Sequence, residues 1–158
     1  IRNINEERVF LLSTTDGAEM NGLAAFIEKL KFLKKNNVIN HNWKYGAKLI
    51  LEGNKIAKKI GINEFFYFSG IACSPFYNCL DNKKNNSLEF RTLFIQEMLN
   101  QNILMPWISI SYRHNNQTLQ KTLVALEKVL IIYKKALKLG VKKFIKGHTI
   151  KPVFRRFN

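Results

Sequence analysis

Apolar residues recur at steps of three and four along most of the chain, which is the period of an amphipathic α-helix. The pattern predicts four helices, at residues 21–33, 43–60, 88–100 and 119–137. Asp16 and Glu19 stand in the relation of a capping box, which puts the start of the first helix near Gly17. Gly61 and Gly140 follow the second and fourth helices, where a glycine commonly ends a helix.

Extended structure is predicted where aromatic and β-branched residues replace the helical pattern. The segments are 65–73, 75–80 and 103–112, together with an opening strand that ends at Ser13. The first two bend around Gly70 and Pro75, and the third is entered through Pro106. Asn115 then provides an N-cap for the last helix. This order of elements predicts an α/β or α+β unit, with helices packed on a small, mostly antiparallel sheet.

The charge balance is strongly basic, with 26 Lys and Arg against 11 Asp and Glu among 158 residues and a net charge of +15. A basic surface attracts phosphate backbones through counterion release. The lysines, however, are spread along the helical segments, and the chain carries no nucleic-acid recognition motif. We therefore expect solvated helix faces and do not expect nucleic-acid binding. A non-enzymatic basic module that binds nucleic acid or an acidic partner stays open as the alternative function.

Several classes of protein are not expected from this sequence. No apolar run approaches the roughly 20 residues of a membrane span, and residues 1–8 do not resemble a secretory signal. Cys73 and Cys79 match neither a disulfide framework nor a zinc spacing, so we expect reduced thiols in a cytoplasmic protein. The three histidines are His41, His114 and His148. They lie far apart in the sequence without the partners of a metal site, so no metal ligand is assigned.

A family resemblance begins at residues 13–19, where Ser-Thr-Thr-Asp-Gly-Ala-Glu precedes an amphipathic helix. This segment resembles the Ser/Gly-Thr-x-x-Gly motif of class III, fold type I aminotransferases that use pyridoxal phosphate, in the branch of glutamate-1-semialdehyde 2,1-aminomutase. Later segments are similar to this family in their order. They are the helix that leads into the small domain (43–60), the strand pair (65–80), the helix before a short strand (90–106), and the closing strand, N-cap and final helix (111–126).

The resemblance implies a fold and a domain organisation. The chain would be the C-terminal portion of a fold type I subunit. Residues 1–40 would end the large-domain region, 41–140 would form the C-terminal small domain, and 141–158 would be a basic extension. It also implies pyridoxal 5'-phosphate as cofactor, the remainder of the subunit and a second copy in a homodimer as partners, and a small amino or keto substrate.

Within the resemblance, Thr14 would contact the phosphate of the cofactor held by the neighbouring subunit, with Ser13 beside it. The residues alone also permit a plainer role, in which both residues end a strand and cap the following helix. The Schiff-base lysine, the aspartate that pairs with the pyridine nitrogen and the stacking aromatic all precede this motif in the family. No catalytic residue is therefore assigned, and the isolated chain is expected to be inactive. No arginine near Pro106 matches the one that holds a substrate carboxylate in some subfamilies, which leaves the substrate open.

Overall fold

The computed structural model describes residues 19–151, which fall into two compact units. Among the described residues, 19–37 and Lys151 belong to the first unit, and the second is Val38–Ile150. The main described element of the first unit is helix α1 (Met20–Lys35), which has no buried residue. The second unit contains the hydrophobic core described below.

The start of α1 differs from the sequence prediction. Glu19 has extended backbone (φ −67°, ψ 133°) and is the N-cap, so the helix begins at Met20 and the predicted start near Gly17 is wrong. Glu19 therefore cannot occupy the third helical position of a capping box. Its side chain makes no capping hydrogen bond, and the Asn21 side chain instead accepts the Gly22 N–H at 2.8 Å.

Helices and one hairpin make up the second unit. In chain order its elements are α2 (Val38–Ile60), β1 (Phe66–Ile71), β2 (Ser74–Cys79), α3 (Leu88–Asn100), α4 (Asn116–Leu139) and a 3₁₀ turn (Val141–Lys143). The described residues thus contain four helices and one two-stranded antiparallel sheet. This confirms the predicted α+β class.

Local signals set the ends of α2 and α4 and the start of α4 as predicted, whereas α2 begins at Val38 and not at residue 43. Asn37 has a positive φ of 49° and separates α1 from α2, and Gly61 (φ 78°) and Gly140 (φ 92°) follow α2 and α4. Asn115 caps α4 through a reciprocal capping box, because its side chain accepts the Thr118 N–H at 2.9 Å while its own N–H donates to the Thr118 hydroxyl at 2.8 Å. Such a box satisfies two backbone donors that a helix start leaves unpaired.

The hairpin has a register in which Phe66 lies opposite Cys79 and Ile71 lies opposite Ser74. The chain therefore reverses at residues 72–73, and both predicted extended segments are confirmed as its two strands. Alternate residues point to opposite faces of a strand. In β1, Phe66 and Phe68 accordingly face the core and are buried, whereas Tyr67 is exposed.

Two glycines allow α2 to lie close against the hairpin. A Cβ atom on Gly46 would overlap the carbonyl oxygen of Ala72, and one on Gly53 would overlap the ring of Phe68. The two glycines are seven residues apart, which puts them on the same face of the helix two turns apart. The absence of side chains at both positions sets the distance between α2 and the sheet.

A third strand was predicted at residues 103–112, and this prediction is wrong: the segment is irregular. Backbone groups on the outer edge of each strand already have hydrogen-bond partners. On β1, the Asn54 side chain accepts the Phe68 N–H at 2.7 Å and donates to the Phe68 carbonyl at 3.0 Å. On β2, the Cys79 carbonyl accepts the Ser87 N–H at 2.9 Å. Side-chain and loop groups thus occupy backbone positions that a third strand would need.

The residues after α4 are attached to α3. The Gln96 side chain donates to the Phe144 carbonyl at 2.9 Å and accepts the Lys146 N–H at 2.8 Å. Further along, the Ile150 N–H donates to the Thr92 hydroxyl at 2.9 Å. Residues 141–150, which the sequence placed in a basic extension, are therefore hydrogen-bonded to the compact unit.

The close approach at Gly46 gives a first prediction. Gly46→Ala should lower the free energy of unfolding by about 2 kcal/mol or more, because α2 must move away from a backbone carbonyl that cannot give way. Helix propensity acts the other way and favours alanine by about 1 kcal/mol. Urea unfolding followed by circular dichroism measures the difference.

Gly22→Ala is the matched control, since nothing lies within 4 Å of its Cβ position in α1. This substitution should not destabilise the protein. Equal unfolding midpoints for Gly46→Ala and the parent would contradict the proposed packing.

Candidate functional site

The residues assigned to cofactor binding, Ser13 and Thr14, lie outside the described residues. Their contact with a phosphate therefore stays a prediction from the sequence.

Lysine side chains do not form a pyridoxal phosphate site in the described residues. Every lysine from Lys29 to Lys151 is exposed, whereas a Schiff-base lysine needs a desolvated environment that lowers its pKa. An open groove of about 510 Å³ lies between α2 and the hairpin, and Lys55 and Lys58 line it. Its lining is otherwise mainly apolar and contains no carboxylate that could pair with a pyridine nitrogen. Residues 19–151 alone do not fit the cofactor.

A second group of side chains converges beside β2. Tyr77, on the core face of β2, shares its hydroxyl hydrogen between the carbonyl oxygens of Met105 (2.8 Å) and Pro106 (2.9 Å). Arg91, in the first turn of α3, donates from Nη2 to the same Pro106 oxygen at 2.8 Å. Its guanidinium carbon lies 5.0 Å from the centre of the Tyr77 ring, within the range of a cation–π contact. These two side chains hold the irregular segment 103–112 in place of strand pairing.

The positive charge of Arg91 has no nearby anion in the described residues. Five ion pairs occur there, and none of them includes Arg91. Burial raises the pKa of the Tyr77 phenol to about 12, although the Arg91 charge opposes this shift. Burial also raises the pKa of the Cys79 thiol, again against the effect of Arg91. Both groups are therefore protonated at neutral pH and do not neutralise the guanidinium.

A cleft of about 280 Å³ opens along β2 and the first turn of α3. Its lining residues are Phe76, Tyr77, Asn78, Cys79, Asn86, Ser87, Leu88 and Arg91. Polar and apolar groups thus share the lining, with Arg91 as its only charged residue. This combination suits a small anionic ligand better than an apolar one.

A cluster of rings joins α2 to the turn before α4. His41 donates from Nε2 to the His114 carbonyl at 2.7 Å, and the Ser111 N–H donates to His114 Nδ1 at 2.9 Å. The ring of Tyr112 lies 5.0 Å from that of His41, and the ring of Tyr45 lies 5.4 Å from that of His114. The cluster positions the turn that leads to Asn115, the N-cap of α4.

Metal and membrane sites are not found in residues 19–151. No three His, Cys, Asp or Glu side chains of this part lie close enough together to hold a metal ion. None of its helices is both long and apolar enough to cross a membrane.

Arg91 was not among the candidate residues predicted from the sequence. It is one of six arginines among 26 basic residues, and it lies between the buried residues Phe90 and Thr92 as the one basic residue of α3. A cation between two buried residues could have marked Arg91 as a candidate from the sequence. Its contacts with Tyr77 and Pro106 could not have been predicted, because only the folded chain brings the three residues together.

The buried phenol of Tyr77 gives a second prediction. A pKa of about 12 in the folded chain against about 10 when unfolded means that the folded state keeps this proton at higher pH. The resulting stabilisation is complete below pH 10 and is lost as the pH rises from about 10 to about 12. Tyr77→Phe should therefore be less stable at pH 7, by about 1 kcal/mol for the lost hydrogen bond, but should lose less stability above pH 10. Urea unfolding at pH 7 to 11.5 tests this, and parallel pH profiles for both proteins would contradict it.

Comparison with known proteins supplies no further assignment: no family model, curated protein or solved structure matches this chain. The function proposed next therefore depends on the residues of the chain and on their arrangement.

Proposed function

We propose that this chain is the C-terminal domain, with the end of the large domain, of a pyridoxal-phosphate-dependent aminotransferase or aminomutase of class III. Within that class, the chain resembles the branch of glutamate-1-semialdehyde 2,1-aminomutase. The complete enzyme would act on a small amino or keto substrate as a cytoplasmic homodimer. This chain would contribute a folded small domain and, through Thr14, one contact to the cofactor of the neighbouring subunit.

One observation carries the proposal, namely the order of elements in the second unit. The sequence resemblance requires a helix, a strand pair, a second helix and a final helix introduced by an N-cap. The chain has α2, the β1–β2 hairpin, α3 and α4 with Asn115 as N-cap, in that order. Because these elements share one core, they can act as a domain that packs as a unit against other parts of an enzyme.

One element departs from the resemblance. The family has a short strand before the final helix, whereas residues 103–112 are irregular here. The α+β fold is consistent with such a domain, but other kinds of protein share this fold class. The proposal therefore relies on the ordered motifs together with the fold, and its tests must address the cofactor directly.

Because every described lysine is exposed, none of them is suited to bind the cofactor. The lysine that binds the cofactor, and with it the transfer of the amino group, would belong to the part of the subunit that precedes this chain. A hydroxyl such as that of Thr14 can donate to a phosphate oxygen near a helix start, where backbone N–H groups also favour an anion. The role of the chain is then to complete the cofactor site and not to perform proton transfer.

The proposal predicts that the reading frame containing this chain encodes a lysine-bearing domain N-terminal to it. The protein produced from the whole frame should bind pyridoxal phosphate with the visible absorbance of an internal aldimine. The 158-residue chain alone should show none, and borohydride reduction should leave only sparse labelling spread over exposed lysines. A stoichiometric adduct on one lysine of the isolated chain, or a frame without such a domain, would contradict the proposal. Salt-resistant, sequence-specific nucleic-acid binding without any effect of pyridoxal phosphate would favour the basic-module alternative.

Thr14 gives a separate prediction for the complete enzyme. Thr14→Val keeps the shape of the side chain but removes a charge-assisted hydrogen bond, which contributes about 1.5–3 kcal/mol. Affinity for pyridoxal phosphate should fall at least about tenfold while the unfolding midpoint stays nearly unchanged. Thr15→Val is the control and should bind as the parent does. Equal affinities for Thr14→Val and the parent, titrated at matched salt, would leave Thr14 a structural residue at the end of a strand.

A further inference from the structure

The cleft beside β2 contains a cation that the described residues do not neutralise. The guanidinium of an arginine carries five N–H donors in a planar fork. In Arg91, one nitrogen donates to the Pro106 carbonyl, and the rest of the fork has no hydrogen-bond partner among the described residues. No carboxylate of these residues forms an ion pair with it. The geometry leaves donors free for a ligand.

Contacts on two sides hold the guanidinium in place before any ligand arrives. The Pro106 oxygen accepts from Nη2 at 2.8 Å, and the Tyr77 ring lies 5.0 Å from the guanidinium carbon. The Tyr77 ring is itself fixed, because its hydroxyl donates to the carbonyls of segment 103–112. A preorganised fork loses little side-chain entropy on binding, which increases the affinity that the same hydrogen bonds provide.

The rest of the cleft indicates the kind of ligand. Its volume of about 280 Å³ lies below the range of about 300–1,000 Å³ that is usual for drug-sized ligands. Phe76 and Leu88 line it and are 53% and 44% exposed, so they offer apolar surface next to the guanidinium. Asn78, Asn86 and Ser87 add polar groups. A small molecule with one planar anionic group and a short apolar portion matches this lining.

Neighbouring charges also favour an anion. The nearest acidic residue in sequence, Glu89, has Lys142 as an ion-pair partner, with 3.7 Å between Oε1 and Nζ. The cleft borders the amino end of α3, where the helix dipole favours negative charge. Arg91 is therefore the dominant charge within the cleft.

We propose that this cleft is a binding site for a small carboxylate, which Arg91 would hold through its free guanidinium donors while Phe76 and Leu88 contact the apolar portion. The planar fork of arginine matches both carboxylate and phosphate in a bidentate pair, and the single negative charge of a carboxylate suits a cleft lined by one cation. The proposal does not depend on the aminotransferase assignment, because it concerns only residues of the described unit.

Isobutyrate and isobutyramide form a matched pair of probes, since they share a shape and differ in charge. The ¹⁵N-labelled full chain is titrated with each compound at constant ionic strength, and the Arg91 side-chain Nε–H and the Leu88 amide are followed by NMR. Isobutyrate should produce saturable shifts at both positions, and isobutyramide and sodium chloride should not. Superimposable titrations with isobutyrate and chloride would overturn the proposal.

Two variants, each with one positive charge removed, distinguish specific binding at Arg91 from a general effect of net charge. Arg91→Gln should weaken isobutyrate binding about tenfold or more, whereas Lys121→Gln, at an exposed position of α4 outside the cleft lining, should leave it nearly unchanged. An equal effect of both variants would contradict a specific site. If Arg91→Gln fails to fold because segment 103–112 is released, the isobutyrate and isobutyramide titrations of the parent chain decide the question.

Discussion

A two-stranded hairpin is marginally stable in water by itself, so the unit Val38–Ile150 depends on how the hairpin is fixed to the helices. Phe66 is at the centre of that attachment, fully buried, with its ring centre 4.9 Å from Phe94 and 5.9 Å from Tyr133. Tyr133 also donates its hydroxyl to the Leu80 carbonyl at the end of β2, at 2.8 Å. One aromatic cluster thereby joins the sheet to α3 and α4, and the glycines of α2 let that helix approach from the remaining side.

Side chains replace backbone pairing at the edges of this sheet. The Asn54 amide binds the N–H and the carbonyl of Phe68, as a neighbouring strand would. Tyr77 and Arg91 likewise satisfy carbonyl groups in residues 103–112. Exposed strand edges invite pairing with other chains, and a covered edge avoids this. The same arrangement leaves residues 103–112 without a strand partner. Tyr77 and Arg91 therefore hold this segment at the Met105 and Pro106 carbonyls and not along its whole length.

Stability and binding are linked in Arg91. The contacts that hold residues 103–112 also fix the guanidinium of Arg91, which lines the cleft, so the fold itself prepares the proposed carboxylate site. Thr14, by contrast, acts in our proposal only when other parts of an enzyme are present. The two assignments have different physical bases: one concerns a local charge without a counter-ion among residues 19–151, and the other an ordered set of motifs along the chain.

The helices were predictable because their determinants are local. Periodic apolar positions, the Asn115 cap and the glycines at the helix ends act within a few residues, and the helices themselves, the ends of α2 and α4 and the start of α4 follow from them. The absent third strand and the Arg91 cleft were not predictable in this way. Asn54 and Phe68 are 14 residues apart and Arg91 and Pro106 are 15 apart, and each pair lies on different elements. Whether a strand edge is free, or a cation has a partner, depends on which distant groups meet after folding. The sequence therefore determined the helices, the two hairpin strands and the α+β class, and the tertiary structure decided which backbone edges were occupied and which charge of the described residues was left without a counter-ion.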